Sequence, residues 1–153
     1  MRKIIILFLM GTVLVILQTS FFSVLFGNLA NPNLIFAFCF AFLIVGDKES
    51  AFQGGIIFGL TLDILLATIP GLTSVFLVVS IALADVFERT ILRGTRSYYL
   101  VLAVSSYLYH FLGTGKIYIS SGMFLGIILT LVSCVGFAWG IMNYSGFKRK
   151  SII

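Results

Sequence analysis

The sequence predicts an all-α integral membrane protein, a six-transmembrane-helix bundle with its N- and C-termini cytoplasmic. Three observations carry that expectation. The 153-residue chain is 60% hydrophobic and only 10% charged, with a mean hydropathy of +1.17, whereas a water-soluble domain carries about 25% charged residues. Its apolar residues fall in continuous runs, and runs of about 17–25 residues match the thickness of a bilayer. Its basic residues gather at alternate ends of those runs, as the positive-inside rule requires.

Charge, proline and glycine punctuate the chain into six spans, at about 4–26, 32–46, 51–68, 71–87, 97–113 and 118–143, within a single transmembrane domain covering 1–153. The first opens like a signal peptide, with Arg2 and Lys3 before an apolar run. That run is about 23 residues long, beyond the usual 7–15, and no small-x-small cleavage site follows. A retained first helix is expected. The second span is short for a roughly 30 Å core at 1.5 Å per residue. Its ends are expected to reach into the interface, with Pro32 in its first turn. The links between spans are short (GNLAN, GDKES, TIPG, LGTGK), so neighbouring helices should pack antiparallel.

Sidedness follows from the cations. With the N-terminus cytoplasmic, Arg2, Lys3, Lys48, Arg89, Arg93, Arg96, Lys148, Arg149 and Lys150 fall inside, and only Lys116 falls outside. The net charge of +5 therefore reads as a topology and anionic-lipid signal. Nucleic acid is not an expected partner, because the chain offers no soluble domain to present these residues. Cys39 and Cys134 lie within apolar runs and are expected to be free, buried thiols.

One carboxylate interrupts the third span. In GGIIFGLTLDILLATIPG, residues 54–71, the positions Gly55, Gly59, Asp63 and Ala67 recur every four residues and form one slowly turning stripe on a helix. Small residues at that spacing let another helix approach closely. An acid facing lipid would cost roughly 2.5–3.5 kcal/mol on insertion scales, so the stripe is expected to face protein. By helical rise Asp63 lies roughly 7–8 Å below the outer interface. Free N–H groups and hydroxyls at the start of the fourth helix (Pro70, Gly71, Leu72, Thr73, Ser74) are within reach, and the helix dipole there favours an anion. Three roles are open to it: a structural lock, a partner contact, or an ion or proton site. The last would need other intramembrane polar groups, for which Gln18, Thr61, Thr130 and Asn143 are the candidates.

The last span carries Gly122-x-x-x-Gly126 and Gly136-x-x-x-Gly140, which suit either internal packing or a docking face. The sixteen phenylalanines, including the run FAFCFAF at 36–42, read as packing or lipid-facing residues. His110, the sole histidine, falls with Tyr107, Tyr109 and Tyr118 in an interfacial aromatic belt. A lone histidine without acidic or thiol neighbours suggests no metal set. There is no nucleophile elbow and no His-Glu-x-x-His motif, so no enzyme activity and no cofactor are expected. Asp85 and Arg89 are four apart and can pair on one helix face. Arg89, Arg93 and Arg96, with Lys148, Arg149 and Lys150, form the expected cytoplasmic and lipid-headgroup surface.

Leu17-Gln18-Thr19 late in the first helix, Pro32 opening the second, Gly46 at its end, and Gly54 to Asp63 together form a familiar order. With Gly59-Leu60-x-x-Asp63 followed by Pro70-Gly71-Leu72, the chain resembles the MreD family of rod shape-determining membrane proteins, most clearly over about residues 15–90. Family members often carry an acid after the proline of helix two, where this chain has Asn33. The resemblance implies a non-enzymatic scaffold subunit of the bacterial cell-wall elongation complex in the cytoplasmic membrane. Its implied partners are MreC, through that protein's single membrane helix, then RodA, a class B penicillin-binding protein and, indirectly, MreB. It also implies a fold related to the membrane-embedded substrate-binding subunits of energy-coupling-factor transporters. A vitamin-binding subunit of that kind is the alternative function, although the first helix lacks their Ala-x-x-x-Ala repeat and the outer links are too short to cap a ligand.

Overall fold

The computed structural model describes residues 2–25, 32–66, 69–90, 94–114 and 121–144. Ala67, Arg93, Lys116, Tyr118, Lys148, Arg149 and Lys150 lie outside them. Among the described residues the fold is all-helical: α1 (Arg2–Ile16), α2 (Leu34–Val45), α3 (Lys48–Leu65), α4 (Leu72–Thr90), α5 (Arg96–Thr114) and α6 (Ser121–Tyr144). Two stretches are long and apolar enough to cross a membrane, Phe8–Leu25 and Ser121–Asn143. The first includes a π-helical segment, Leu17–Phe22, that continues α1.

The short helix α2 is the hub. Ile35, Phe36, Ala37, Cys39, Phe40 and Ala41 are wholly buried, and α2 packs against all five other helices. The FAFCFAF run therefore serves the interior, with only Phe42 partly exposed. Two interlocking rows fill the space around it: Phe58 and Leu62 from α3, and Leu77 and Ile81 from α4, with Leu102 of α5 and Val15 of α1. Gly11 lets α1 reach this core, since a Cβ at that position would overlap the ring of Phe58.

Both ends of α2 are set by local chemistry. Asn33 is its N-cap, its side chain accepting from the Phe36 N–H at 3.5 Å. The Asn33 N–H itself donates to Thr130 Oγ1 of α6 at 2.9 Å. Pro32 therefore stands one residue before the cap and not in the first turn. The helix begins in the protein interior, because Pro32 and Asn33 are both buried. At the other end Gly46, with φ +91°, takes the left-handed conformation, and its N–H bonds back to Leu43 O at 3.0 Å. Asn33→Ala is expected to lower stability by about 1 kcal/mol, whereas Asn33→Asp keeps the cap. Thermal unfolding of the two variants checks this, and an alanine variant as stable as the parent would remove the cap from the account.

The helices α3 and α4 form an antiparallel hairpin. Asp47 caps α3 by accepting from the Ser50 N–H at 3.1 Å. After α3 the chain turns through Gly71, whose φ of +94° is one that glycine adopts without strain. Exposed apolar side chains line the outer faces of the hairpin and of α5, including Leu72, Val75, Val79 and Leu83 on α4 and Leu100, Val104 and Leu108 on α5. The inner faces of the same helices carry hydroxyls: Thr73, Ser74, Ser80, Ser97, Ser105 and Ser106 are buried.

Candidate functional site

Three side-chain constellations carry the polar chemistry of the bundle. The first is the seam between α3 and α4. Gly55, Gly59 and Asp63 are buried on the face of α3 that meets α4. A Cβ at Gly59 would lie 2.5 Å from both Cα and N of Ser74, so the two backbones nearly touch there. At Gly55 the nearest atom is the far end of a side chain, Ile81 Cδ1 at 3.0 Å. The close approach lets Ser74 Oγ donate across the seam to Ile56 O at 3.0 Å, a short polar tie between helices.

Asp63 ends the seam and is wholly buried. Its Oδ2 accepts from the Gly71 N–H at 2.8 Å and from the Thr73 N–H at 3.1 Å. These donors belong to the turn and first residues of α4, where the helix dipole is positive. Thr73 passes the link onward, its hydroxyl lying 3.3 Å from Tyr109 OH on α5. The Tyr109 ring in turn packs against Phe36 and Phe76, with centroids at 5.3 and 5.9 Å. A single carboxylate thus orients α4 against α3 and, through Thr73, α5 against both.

The second constellation lies at the opposite end of the hairpin. Arg89 pairs with Asp85 one turn earlier on α4, at 2.9 Å. Lys48, at the start of α3, bonds Asp85 and lies 3.6 Å from Glu88. The Asp85–Arg89 spacing made that pair legible in the sequence. The pairing to Lys48 and Glu88 was not, because it crosses between helices. Such pairs, partly exposed, are worth about 0–1 kcal/mol each. Arg89 keeps most of its side chain exposed, and Arg96 is exposed at the start of α5.

The third constellation gathers where α1, α2, α5 and α6 meet. Gln18, on the π-helical segment, is buried and accepts from the Ile35 N–H at 3.3 Å. Thr130 accepts from Asn33 and donates to Gly126 O at 2.8 Å. Together with Ser106, Tyr109 and His110 they border a cavity of about 130 Å3. Of the four scattered polar residues weighed for an ion site, Gln18 and Thr130 therefore converge. Thr61 bonds within its own helix, to Ile57 O at 2.8 Å, and Asn143 is exposed. Gly126 is buried beside this cavity and Gly122 is half-buried, whereas Gly136 and Gly140 face open space. Ser106 carried no signal in the sequence beyond being a hydroxyl inside an apolar helix.

Cys39 and Cys134 are free and buried. Among the described residues no group of three His, Cys, Asp or Glu side chains is placed to hold a metal ion.

Fold and sites together define a helical protein with two helices suited to crossing a membrane and polar groups concentrated inside it. Comparison with protein-family models, with curated proteins and with solved structures finds no match.

Proposed function

We propose that the chain is a non-enzymatic membrane scaffold of the bacterial cell-wall elongation complex. In this reading all six helices cross the cytoplasmic membrane and both termini face the cytoplasm. The architecture is that of the substrate-binding subunits of energy-coupling-factor transporters. The scaffold docks the membrane helix of MreC and supports lateral peptidoglycan synthesis by RodA and a class B penicillin-binding protein, with MreB engaged indirectly. Arg89 and Arg96 meet anionic headgroups, worth about 1 kcal/mol per cation near the surface.

The observation that carries the reading is the use made of Asp63. A buried acid bonded to backbone N–H groups of its own hairpin holds helices in place and leaves chemistry to others. The exposed Leu and Val of α4 and α5, on helices that bury hydroxyls beside their core residues, support immersion of the shorter helices as well, since soluble monomers rarely expose large apolar faces. A cavity of about 130 Å3 holds on the order of six non-hydrogen atoms, judged against a 150 Å3 cavity that accepts benzene. That is well short of a vitamin, so the scaffold is the better supported of the two functions.

The docking face suggested by this reading is on α6. Gly136 and Gly140 have nothing within 4 Å of a built Cβ and sit among the exposed Val132, Val135 and Trp139. Small residues beside large ones form a groove for a second helix. Gly136→Leu with Gly140→Leu fills that groove, and the first carbon of each new side chain meets no atom within 4 Å. Recovery of MreC with the tagged protein from native membranes should then fall about tenfold, the equivalent of 1.4 kcal/mol. Undiminished recovery would move the docking face elsewhere, and failure of the parent protein to recover MreC would end the proposal.

A further inference from the structure

The helix α2 starts inside the protein, and a helix N-terminus carries partial positive charge that favours an anion. Gln18, Asn33 and Thr130, the side chains that accept from the first N–H groups of α2, all line the polar cavity. The start of α2 is therefore part of the cavity wall. Two of those bonds are long, at 3.3 Å from the Ile35 N–H to Gln18 Oε1 and 3.5 Å from the Phe36 N–H to Asn33 Oδ1, against about 2.9–3.0 Å for a typical one. Neutral acceptors thus meet the positive end of α2, two of them weakly.

Ser106 on α5 supplies an independent observation. Hydroxyls on these helices generally bond the carbonyl one turn back: Thr12, Thr19, Thr61, Ser80 and Thr130 do so at 2.8–2.9 Å. Ser106 does not. It is 8% exposed, its Oγ has no hydrogen-bond partner, and the residue lines the same cavity. Buried polar groups are almost always satisfied, and an exception calls for an explanation. A ligand that accepts from the Ser106 hydroxyl provides one. Asn33 offers donors as well, since its Oδ1 is turned to Phe36 and its amide hydrogens sit on the other branch, at Nδ2.

We propose that this cavity binds a phosphate group at the N-terminus of α2, with Ser106 Oγ and Asn33 Nδ2 donating to its oxygens. The volume of about 130 Å3 takes about six non-hydrogen atoms, judged against the 150 Å3 that admits benzene. A phosphate group falls within that limit. Its tetrahedral oxygens also accept in several directions, which suits donors that arrive from the separate helices α2 and α5. Asp63, joined to the cavity wall through Thr73 and Tyr109, does not occupy this place, because its carboxylate is engaged by the start of α4. The same chemistry is presented by free phosphate and by the phosphodiester of a lipid headgroup.

His110 lines the cavity and is the sole histidine of the chain, so its imidazole NMR signals report this site. The full chain is held in dodecyl maltoside micelles, which contain no phosphate. Sodium gluconate, whose anion is too large for the cavity, sets the ionic strength at fixed pH. Sodium phosphate replaces the gluconate in one arm, and dihexanoyl phosphatidylglycerol is added in the other. A saturable shift of the His110 signal is expected in at least one arm. A response to inorganic phosphate identifies a free ion, and a response to the lipid alone identifies a headgroup. Ser106→Ala removes an unpaired hydroxyl and should weaken binding about tenfold. Asn33→Asp keeps the cap of α2 but sets a carboxylate against the ligand, and should abolish the shift. Unfolding of the same samples checks that each variant is folded, and either one alone suffices for the comparison. Absence of a saturable shift in both arms would overturn the proposal and leave the cavity to water. Undiminished binding by a folded variant would overturn it equally.

Discussion

Replacing Gly59 by leucine is expected to part α3 from α4. A Cβ on residue 59 would stand 2.5 Å from Cα and N of Ser74, where carbon atoms at ease keep about 3.5–4.0 Å. The obstacle is backbone, so no side-chain rotation relieves it, and the helices must separate by about 1 Å. The 3.0 Å bond from Ser74 Oγ to Ile56 O is then stretched beyond use. Overpacking of this kind costs about 1–3 kcal/mol, with about 1 kcal/mol more for the hydrogen bond. Alanine already brings the offending Cβ, so Gly59→Ala should show most of the loss, and leucine adds to it. Gly55→Ala should be milder, because the flexible end of Ile81 can yield, and Gly136→Ala should be neutral in open space. Denaturant unfolding in detergent micelles, followed by helicity, ranks the four. If Gly59→Ala and Gly136→Ala unfold together, the seam is not tight.

The parts of this picture that were legible in the sequence are those fixed by short-range spacing. Asp85 and Arg89 are one turn apart and pair. Asp63 precedes Gly71 and Thr73 by a tight link, and their N–H groups are the donors it meets. The all-helical character of the described residues followed from the apolar runs. What escaped was set by long-range packing. The shortness of α2 was visible, but its role was not: a helix can be short because it begins inside the protein, on a cap held by Thr130 from 97 residues away. That placement also gives Asn33 a task any short acceptor performs, since Asn and Asp cap about equally well. The meeting of Gln18, Ser106 and Thr130 around one cavity was equally out of reach, because each sits on a different helix and none shares a motif.

Asp63→Leu should be the more damaging of two substitutions at that site, and the comparison separates a lock from a conduit. Leucine matches the branching of aspartate but leaves the Gly71 and Thr73 N–H groups without these acceptors. Thr73 is buried, and where no water can replace the carboxylate an orphaned buried donor costs about 1–3 kcal/mol. Loss of the anion at the start of α4 adds about 0.3–1 kcal/mol. The sum is a large share of the ~5–15 kcal/mol that holds a domain together. The damage should also spread, because Thr73 positions Tyr109 on α5. Asp63→Asn behaves differently for a geometric reason. Both donors converge on Oδ2, at 2.8 and 3.1 Å, and the contact from Thr73 to Oδ1 is longer, at 3.3 Å. One carbonyl oxygen set at the Oδ2 position therefore serves both donors, and the amide nitrogen takes the place of Oδ1. The asparagine variant should unfold close to the parent and the leucine variant far below it. A conduit makes the opposite demand, since asparagine accepts hydrogen bonds but carries no proton. Unfolding measured beside proton flux into liposomes decides between them: a stable asparagine variant that loses a flux shown by the parent would convert the lock into a proton site, whereas equal stability of the leucine and asparagine variants would mean that Asp63 does not hold α4 at all.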